Sequence, residues 1–327
     1  MPIPFSVVTH WALADLVEVR LLFGSDRSIS IARLFDEQFE EASLADLALY
    51  DEAENDDSDQ FDEAGFRRNL RQLLVEGTSE ESLLAEETIG EIERRAIFIG
   101  EFYPIDVSAG VARLHGTSWR DNPAYAFLVA LNARYLWKMD ANLNKAARLF
   151  ERLVVPALRQ YWGGEAAHFG WPRDTEDHGT FQSAFPRLLS RMRERLNVSP
   201  QELPVAQKDL QVDAVAWRPL DDRPGQTVLL CQCSIGDDWS DKGVPIEKWN
   251  TLVNFAVTPT RGLAFPFLPE VAKALSEIDW LLLCAGVGVP LDRLRLARLL
   301  SEAEIDPQLL AQLVGWVEPM VPNLAAL

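Results

Sequence analysis

The 327-residue sequence has no apolar run of the roughly 18 residues that a transmembrane helix needs. Its most apolar stretch, from Trp280 to Pro290, is about half as long as a bilayer span. The N-terminus shows no basic leader followed by an apolar core and a small-residue cleavage site, so we expect a cytoplasmic protein and no membrane association. Cysteine is scarce: Cys231, Cys233 and Cys284 are odd in number and lie in apolar surroundings, which favours reduced, buried thiols.

Several catalytic signatures are missing as well. There is no Gly-Lys-Ser/Thr loop to cradle phosphates, and Gly286-Val287-Gly288 is too short and misplaced for a dinucleotide-binding fingerprint. Neither a Gly-x-Ser-x-Gly elbow nor a His-Glu-x-x-His motif occurs. The sequence therefore argues against P-loop nucleotide hydrolysis and against the serine-hydrolase and zinc-protease classes that these motifs mark.

Basic residues are few, and the imbalance is local. The chain has 50 acidic and 31 basic residues, a net charge of −19, and its first 100 residues carry 23 acids, 8 arginines and no lysine. The most acidic segment, from Asp51 to Glu63, is interpreted either as a solvated loop or as a segment that imitates nucleic acid, inhibits by covering a basic groove, or docks onto a basic partner. Residues 101–220 have 15 bases and 13 acids, so that region is compatible with DNA binding, which needs Lys and Arg.

Apolar periodicity predicts an α/β (α+β) protein in which an acidic, mainly helical domain over residues 1–140 precedes an α/β domain over 141–327. Pro156 should kink or break one of the helices. The predicted helices cover residues 15–23, 29–49, 66–74, 79–99, 122–139, 144–161, 180–196 and 290–300. The predicted strands cover residues 212–217, 227–235, 263–267 and 280–285.

Two predicted strands contain polar residues at positions where apolar neighbours indicate burial. Asp213 lies between Val212 and Ala214, and Gln232 lies between two cysteines. An unpaired polar side chain in a buried strand costs a few kcal/mol, so these residues either form an internal polar pair or have a function. Strand alternation places Gln232 and Ser234 on the same face.

This pattern resembles the PD-(D/E)xK nuclease superfamily, the restriction-endonuclease-like fold, and in particular its Mrr-type branch. In that family a helix supplies Glu in a Phe-Glu pair, a strand supplies Asp, and the next strand carries Glu or Gln, any residue, and Lys. The matching positions here are Phe150-Glu151, Asp213 and Gln232-Cys233-Ser234. The resemblance covers roughly residues 145–270 and implies a central mixed sheet flanked by helices.

The resemblance implies a metal-dependent DNA endonuclease, because hard cations such as Mg²⁺ or Mn²⁺ take oxygen ligands and activate water for phosphodiester hydrolysis. Glu151, Asp213 and Gln232 would hold the ion. Ser234 stands where the family has lysine, and a hydroxyl cannot supply its charge. Lys242 is the candidate substitute, although Lys208 is also within reach.

The resemblance also implies a subunit of a prokaryotic anti-phage defence complex, with a partner that supplies ATPase or sensor activity. Homo-oligomerisation is compatible with the sequence too. Arg173, Arg187 and Arg191 are candidates for contacting DNA, and His168 is a weaker candidate for contacting a phosphate or metal. The alternative hypothesis is a catalytically degenerate nuclease fold that docks a partner protein through its acidic N-terminal region.

Overall fold

The computed structural model describes residues 9–34, 78–139, 141–173, 179–269 and 276–327. The chain is of mixed α/β class, with a central mixed sheet flanked by helices, which confirms the predicted fold class. It divides into two compact units, the first formed by residues 1–141, 267–275 and 317–327 and the second by 142–266 and 276–316. The acidic segment 51–63 and the predicted helix 66–74 lie outside the described residues.

The first unit is largely helical, and its helices are α1 (His10–Phe23), α2 (Thr78–Ile99), α3 (Pro123–Leu136) and α10 (Val321–Leu324). It also contains a small antiparallel sheet that the periodicity did not predict, formed by β1 (Ser28–Ser30), β2 (Ile105–Ser108) and β3 (Val111–Leu114). Part of the C-terminal half joins this unit because Phe267 packs on Tyr135, with ring centroids 4.0 Å apart, and Arg20 donates to the Leu327 carbonyl.

The second unit is built around a five-stranded sheet with the spatial order β10, β9, β7, β6, β4. Its strands are β4 (Glu165–His168), β6 (Ala214–Arg218), β7 (Thr227–Cys233), β9 (Thr260–Ala264) and β10 (Val289–Leu291). The pairs β4/β6 and β6/β7 are antiparallel, whereas β7/β9 and β9/β10 are parallel. A separate two-stranded sheet pairs β5 (Arg195–Leu196) with β8 (Val253–Asn254).

The helices of the second unit are α4 (Leu143–Trp162), α5 (Phe181–Arg191), α6 (Ile246–Leu252), α7 (Glu277–Val287), α8 (Arg293–Leu300) and α9 (Pro307–Val317). Phe169, Phe181, Phe185, Trp217 and Trp249 belong to one buried apolar cluster on this unit's sheet. Helix α4 runs unbroken through Pro156, so the break considered from the sequence does not occur.

The predicted strand over residues 280–285 is wrong, because these residues lie in α7. Ser276 and Asp279 form a capping box in which each side chain binds the other residue's backbone N–H, and this starts the helix. A short, continuously apolar run does not distinguish a strand from a helix by periodicity, which explains the error. Within the described part of the chain, no helix combines the length and apolarity needed to cross a membrane.

Candidate functional site

Helix α4 supplies the first acidic side chain of the site. The Asn142 side chain accepts a hydrogen bond from the Lys145 backbone N–H at the start of the helix, and Gly163 ends it in the left-handed conformation with φ +65°. Phe150 and its apolar neighbours face the interior. Glu151 lies at the border of that face, with its side chain 15% exposed.

Strand β4 supplies a histidine that contacts this glutamate. His168 is the last residue of the strand, and its Nε2 lies 2.9 Å from Glu151 Oε2. Its side chain is 7% exposed. Because Ala167 lies in the apolar cluster, strand alternation places His168 on the opposite face of the sheet.

Asp213 lies immediately before β6, not inside a strand as the sequence suggested. Its backbone carbonyl accepts hydrogen bonds from the N–H groups of Phe169 and Gly170, at 2.7 and 2.9 Å. Its side-chain Oδ2 accepts from the Cys233 N–H at 2.7 Å. These three bonds hold the carboxylate between the ends of β4, β6 and β7.

The side chains of Glu151, His168 and Asp213 converge at Gly170. A Cβ on residue 170 would stand 2.6 Å from Glu151 Oε2, 2.9 Å from His168 Nε2 and 3.2 Å from Asp213 Oδ1. Because glycine has no Cβ, these three polar atoms can approach the backbone here without a steric clash. The structure therefore brings together the two predicted carboxylates and adds a histidine.

The surroundings of Asp213 disfavour a negative charge on its carboxyl group in addition to that of Glu151. Burial and the neighbouring Glu151 carboxylate raise the pKa of Asp213 to about 7, against the opposing influence of the Cys233 N–H and His168. Among the described residues, neither carboxylate forms an ion pair with Lys or Arg. A bound cation would relieve the repulsion between them.

Gln232 does not join this group. Its Oε1 accepts a hydrogen bond from the Gly243 N–H at 2.8 Å, and it continues the alternation of Val228 and Leu230, whose side chains lie in the apolar cluster. The predicted role of Gln232 as a third metal ligand therefore finds no support in its position, because its carbonyl oxygen already has an internal partner on the opposite face from His168.

The candidate substitute lysine is also engaged elsewhere. Lys242 Nζ lies 2.6 Å from Asp238 Oδ2, in an ion pair at the protein surface. Ser234 is buried, and its backbone N–H donates to the Ala264 carbonyl. Among the described residues, His168 is thus the one basic side chain that contacts either site carboxylate.

Two cavities meet at His168. The first has a volume of about 580 Å³ and the second about 260 Å³, and His168 and Arg152 line both. The cationic residues around the first cavity are Lys145, Arg148, Arg152 and Arg173. Those around the second are Arg152, Arg159 and Arg191, together with the acidic residues Glu304 and Asp306.

The arginines predicted to contact DNA have different surroundings. Arg173 is 9% exposed, stacks 4.5 Å above the Phe169 ring and donates to two backbone carbonyls, so much of its hydrogen-bonding capacity is used internally. Arg191 lies 5.0 Å from the centre of the Trp217 ring and lines the second cavity. Arg187 is exposed on α5 and lines neither cavity.

A divalent cation at this site would need ligands from a substrate or water in addition to those of the protein. In the described part of the chain, no group of three or more His, Cys, Asp or Glu side chains could hold a metal ion. Mg²⁺ is commonly held by one or two carboxylates, with water and substrate phosphates completing the shell. Glu151 and Asp213 are two carboxylates of this kind, and His168, which bonds Glu151, lines both cavities.

Sequence analysis missed two parts of this site. The cations of α4 could have been found by applying helical periodicity to its polar positions and not only to its apolar face. The sequence gives no sign of the role of Gly170, because its closeness to Glu151 and Asp213 depends on tertiary structure.

Comparisons with protein-family models, curated proteins and solved structures give no match to this chain.

Proposed function

We propose that the second unit is a divalent-cation-dependent DNA endonuclease with its centre at Glu151, Asp213 and His168. The observation that carries the proposal is the convergence of two poorly compensated carboxylates beside Gly170, one of them bonded to His168, which lines both cation-lined cavities. The element order also agrees with the resemblance: Glu151 lies on a helix, Asp213 at a strand end, and Gln232 on the adjacent strand.

Each group in the site has a defined task under this proposal. Glu151 and Asp213 would hold Mg²⁺ or Mn²⁺, which supplies polarisation of the phosphate and acidification of bound water. His168 positions Glu151 through their 2.9 Å hydrogen bond. Lys145, Arg148 and Arg152 neutralise the substrate phosphates in the first cavity.

The test is cleavage of circular single-stranded DNA and supercoiled plasmid by the full-length protein with Mg²⁺ or Mn²⁺. Asp213→Asn should lose at least ~10³-fold of the cleavage rate, since it removes a charged metal ligand. The matched control is Asp222→Asn, whose side chain is 92% exposed and pairs with Arg193. Equal cleavage by wild type and Asp213→Asn would refute the proposed centre.

Lys242→Ala tests in the same assay whether Lys242 replaces the lysine of the family motif. We expect a change of less than ~2-fold, because its ammonium pairs with Asp238 at the surface and such pairs contribute little. A loss approaching that of Asp213→Asn would restore Lys242 as a catalytic residue and remove His168 from its proposed place.

The adaptor hypothesis is favoured by one observation, which is that Gln232 and Lys242 both bind partners away from the candidate site. It predicts no cation-dependent cleavage by wild type on either DNA, even when candidate partners are added.

Four further predictions from the sequence and its resemblance stay predictions: the cytoplasmic location, the ATPase or sensor partner, the homo-oligomer and the role in antiviral defence.

A further inference from the structure

The polar face of α4 carries a row of cations that runs past the proposed centre. Lys145, Arg148, Arg152 and Arg159 follow one another at intervals of three, four and seven residues. At 3.6 residues per turn these positions fall within an arc of about 60° on the helix surface. Three of them are exposed and Arg152 is half-buried, so the row faces the cavities and not the core.

The row extends to both sides of His168. Lys145 and Arg148 line the first cavity, Arg159 lines the second, and Arg152 lines both. From residue 145 to residue 159 the helix rises about 21 Å, which is several times the ~3.4 Å axial rise per phosphate of one strand in a DNA duplex and still spans several phosphates of an extended single strand. A substrate that used the whole row would therefore continue in both directions from the centre.

The second cavity differs from the first in having acidic and apolar side chains beside its arginines. Glu304 and Asp306 add negative charge there, and Val155 and Leu309 add apolar surface. A second row of phosphates would be repelled by these carboxylates. An unpaired nucleotide instead offers hydroxyl or amino donors to them and a base face to the apolar side chains.

We infer that α4 holds one single strand of nucleic acid across both cavities, so that the proposed centre acts on an internal phosphodiester and not at a strand end. This inference rests on the proposed function for the position of the centre. The binding surface itself rests on the cation row and the two cavities, and it assigns to α4 the backbone contacts that the sequence analysis gave to Arg173 and Arg187.

The experiment measures binding of a fluorescently labelled 20-nucleotide single-stranded DNA by anisotropy, in EDTA so that no cleavage occurs. Arg148→Glu tests one side of the centre and Arg159→Glu the other. Each should weaken binding by ~10-fold or more and reduce the slope of log K against log salt by about 0.7 for each phosphate that is no longer neutralised. The control is Lys248→Glu, an exposed helical cation outside both cavities, with an expected change of less than ~2-fold.

Three results would overturn the inference. If only Arg148→Glu weakens binding, the strand ends at the centre and does not cross it. If neither variant differs from Lys248→Glu, α4 is not the binding surface. If a 20-base-pair duplex binds more tightly than the single strand, the single-strand assignment is wrong. Cleavage is measured separately, so a protein that binds as expected but does not cut refutes the proposed function and leaves this surface in place.

Discussion

Each of the two units contains a cluster of buried carboxylates, and the clusters differ in how their charge is balanced. In the first unit, the guanidinium of the fully buried Arg95 donates to Asp15, Glu18 and Glu91, each at 2.7 Å. Tyr103 also donates to Glu18 at 2.9 Å. In the second unit, Glu151 and Asp213 share a site whose basic neighbour is His168.

The difference is reflected in the pKa values. Burial alone would raise the pKa of Glu91, but its bonds to Arg94 and Arg95 lower it. Burial and a neighbouring carboxylate raise the pKa of Asp213 to about 7. A cluster with its own counter-charge is suited to holding helices together, whereas carboxylates without one are costly to the fold and suited to binding a cation.

The largest expected effect comes from removing the counter-charge of the first cluster. Arg95→Leu leaves three carboxylates buried together, and we expect it to lower the free energy of unfolding by about 3–5 kcal/mol in urea denaturation. The control is Arg94→Leu, whose side chain is 55% exposed and whose loss should cost less than ~1 kcal/mol. Similar losses for the two variants would contradict the structural role assigned to Arg95.

In the second cluster, removing a charged group should raise the free energy of unfolding instead of lowering it. Between pH about 4 and about 7 the folded chain keeps a proton on Asp213 that the unfolded chain releases, so the free energy of unfolding falls as the pH rises. Asp213→Asn removes this cost, because its amide stays neutral. At pH 8 in EDTA we expect a gain of up to ~4 kcal/mol, and at pH 4 almost none.

The comparison for this variant is Asp222→Asn, which changes an exposed carboxylate in the same unit and should leave stability within ~0.5 kcal/mol at both pH values. If Asp213→Asn is instead less stable than the wild type at pH 8, the Asp213 carboxylate stabilises the fold. The second cluster would then be a structural ion-pair cluster like the first. A gain in stability together with lost cleavage is the combination expected of a functional site.

Much of the second unit could be predicted because its helices and strands have clear local patterns. Helix α4 was expected over residues 144–161 and spans Leu143–Trp162, and β7 was expected over 227–235 and spans Thr227–Cys233. The small sheet of β1, β2 and β3 was missed, since its strands have only three or four residues and β1 pairs with a strand that is distant in the sequence. Helix α7 was mistaken for a strand because its capping box was overlooked.

The buried polar residues near the candidate site could be named from the sequence, but the directions of their side chains could not. Asp213 and Glu151 were named, and they converge. Gln232 was named for the same reason as Asp213, yet its oxygen binds the Gly243 N–H on the other side of the sheet. Polar residues in apolar runs indicate that a partner exists, but they do not tell which partner it is.

The smallest expected effect on stability concerns the residue that no pattern identified. Gly170→Ala would place a Cβ 2.6 Å from Glu151 Oε2 and 2.9 Å from His168 Nε2, so these side chains must move apart. We expect a loss of about 1 kcal/mol in unfolding free energy, as for other crowded sites, but a loss of at least ~10-fold in cleavage, because the two carboxylates no longer face one point. The control is Gly243→Ala, where a Cβ would meet no described atom within 4 Å. If Gly170→Ala cleaves DNA like Gly243→Ala, cleavage does not depend on the close approach of Glu151 and Asp213 at Gly170, and the difference between the two clusters has no functional meaning.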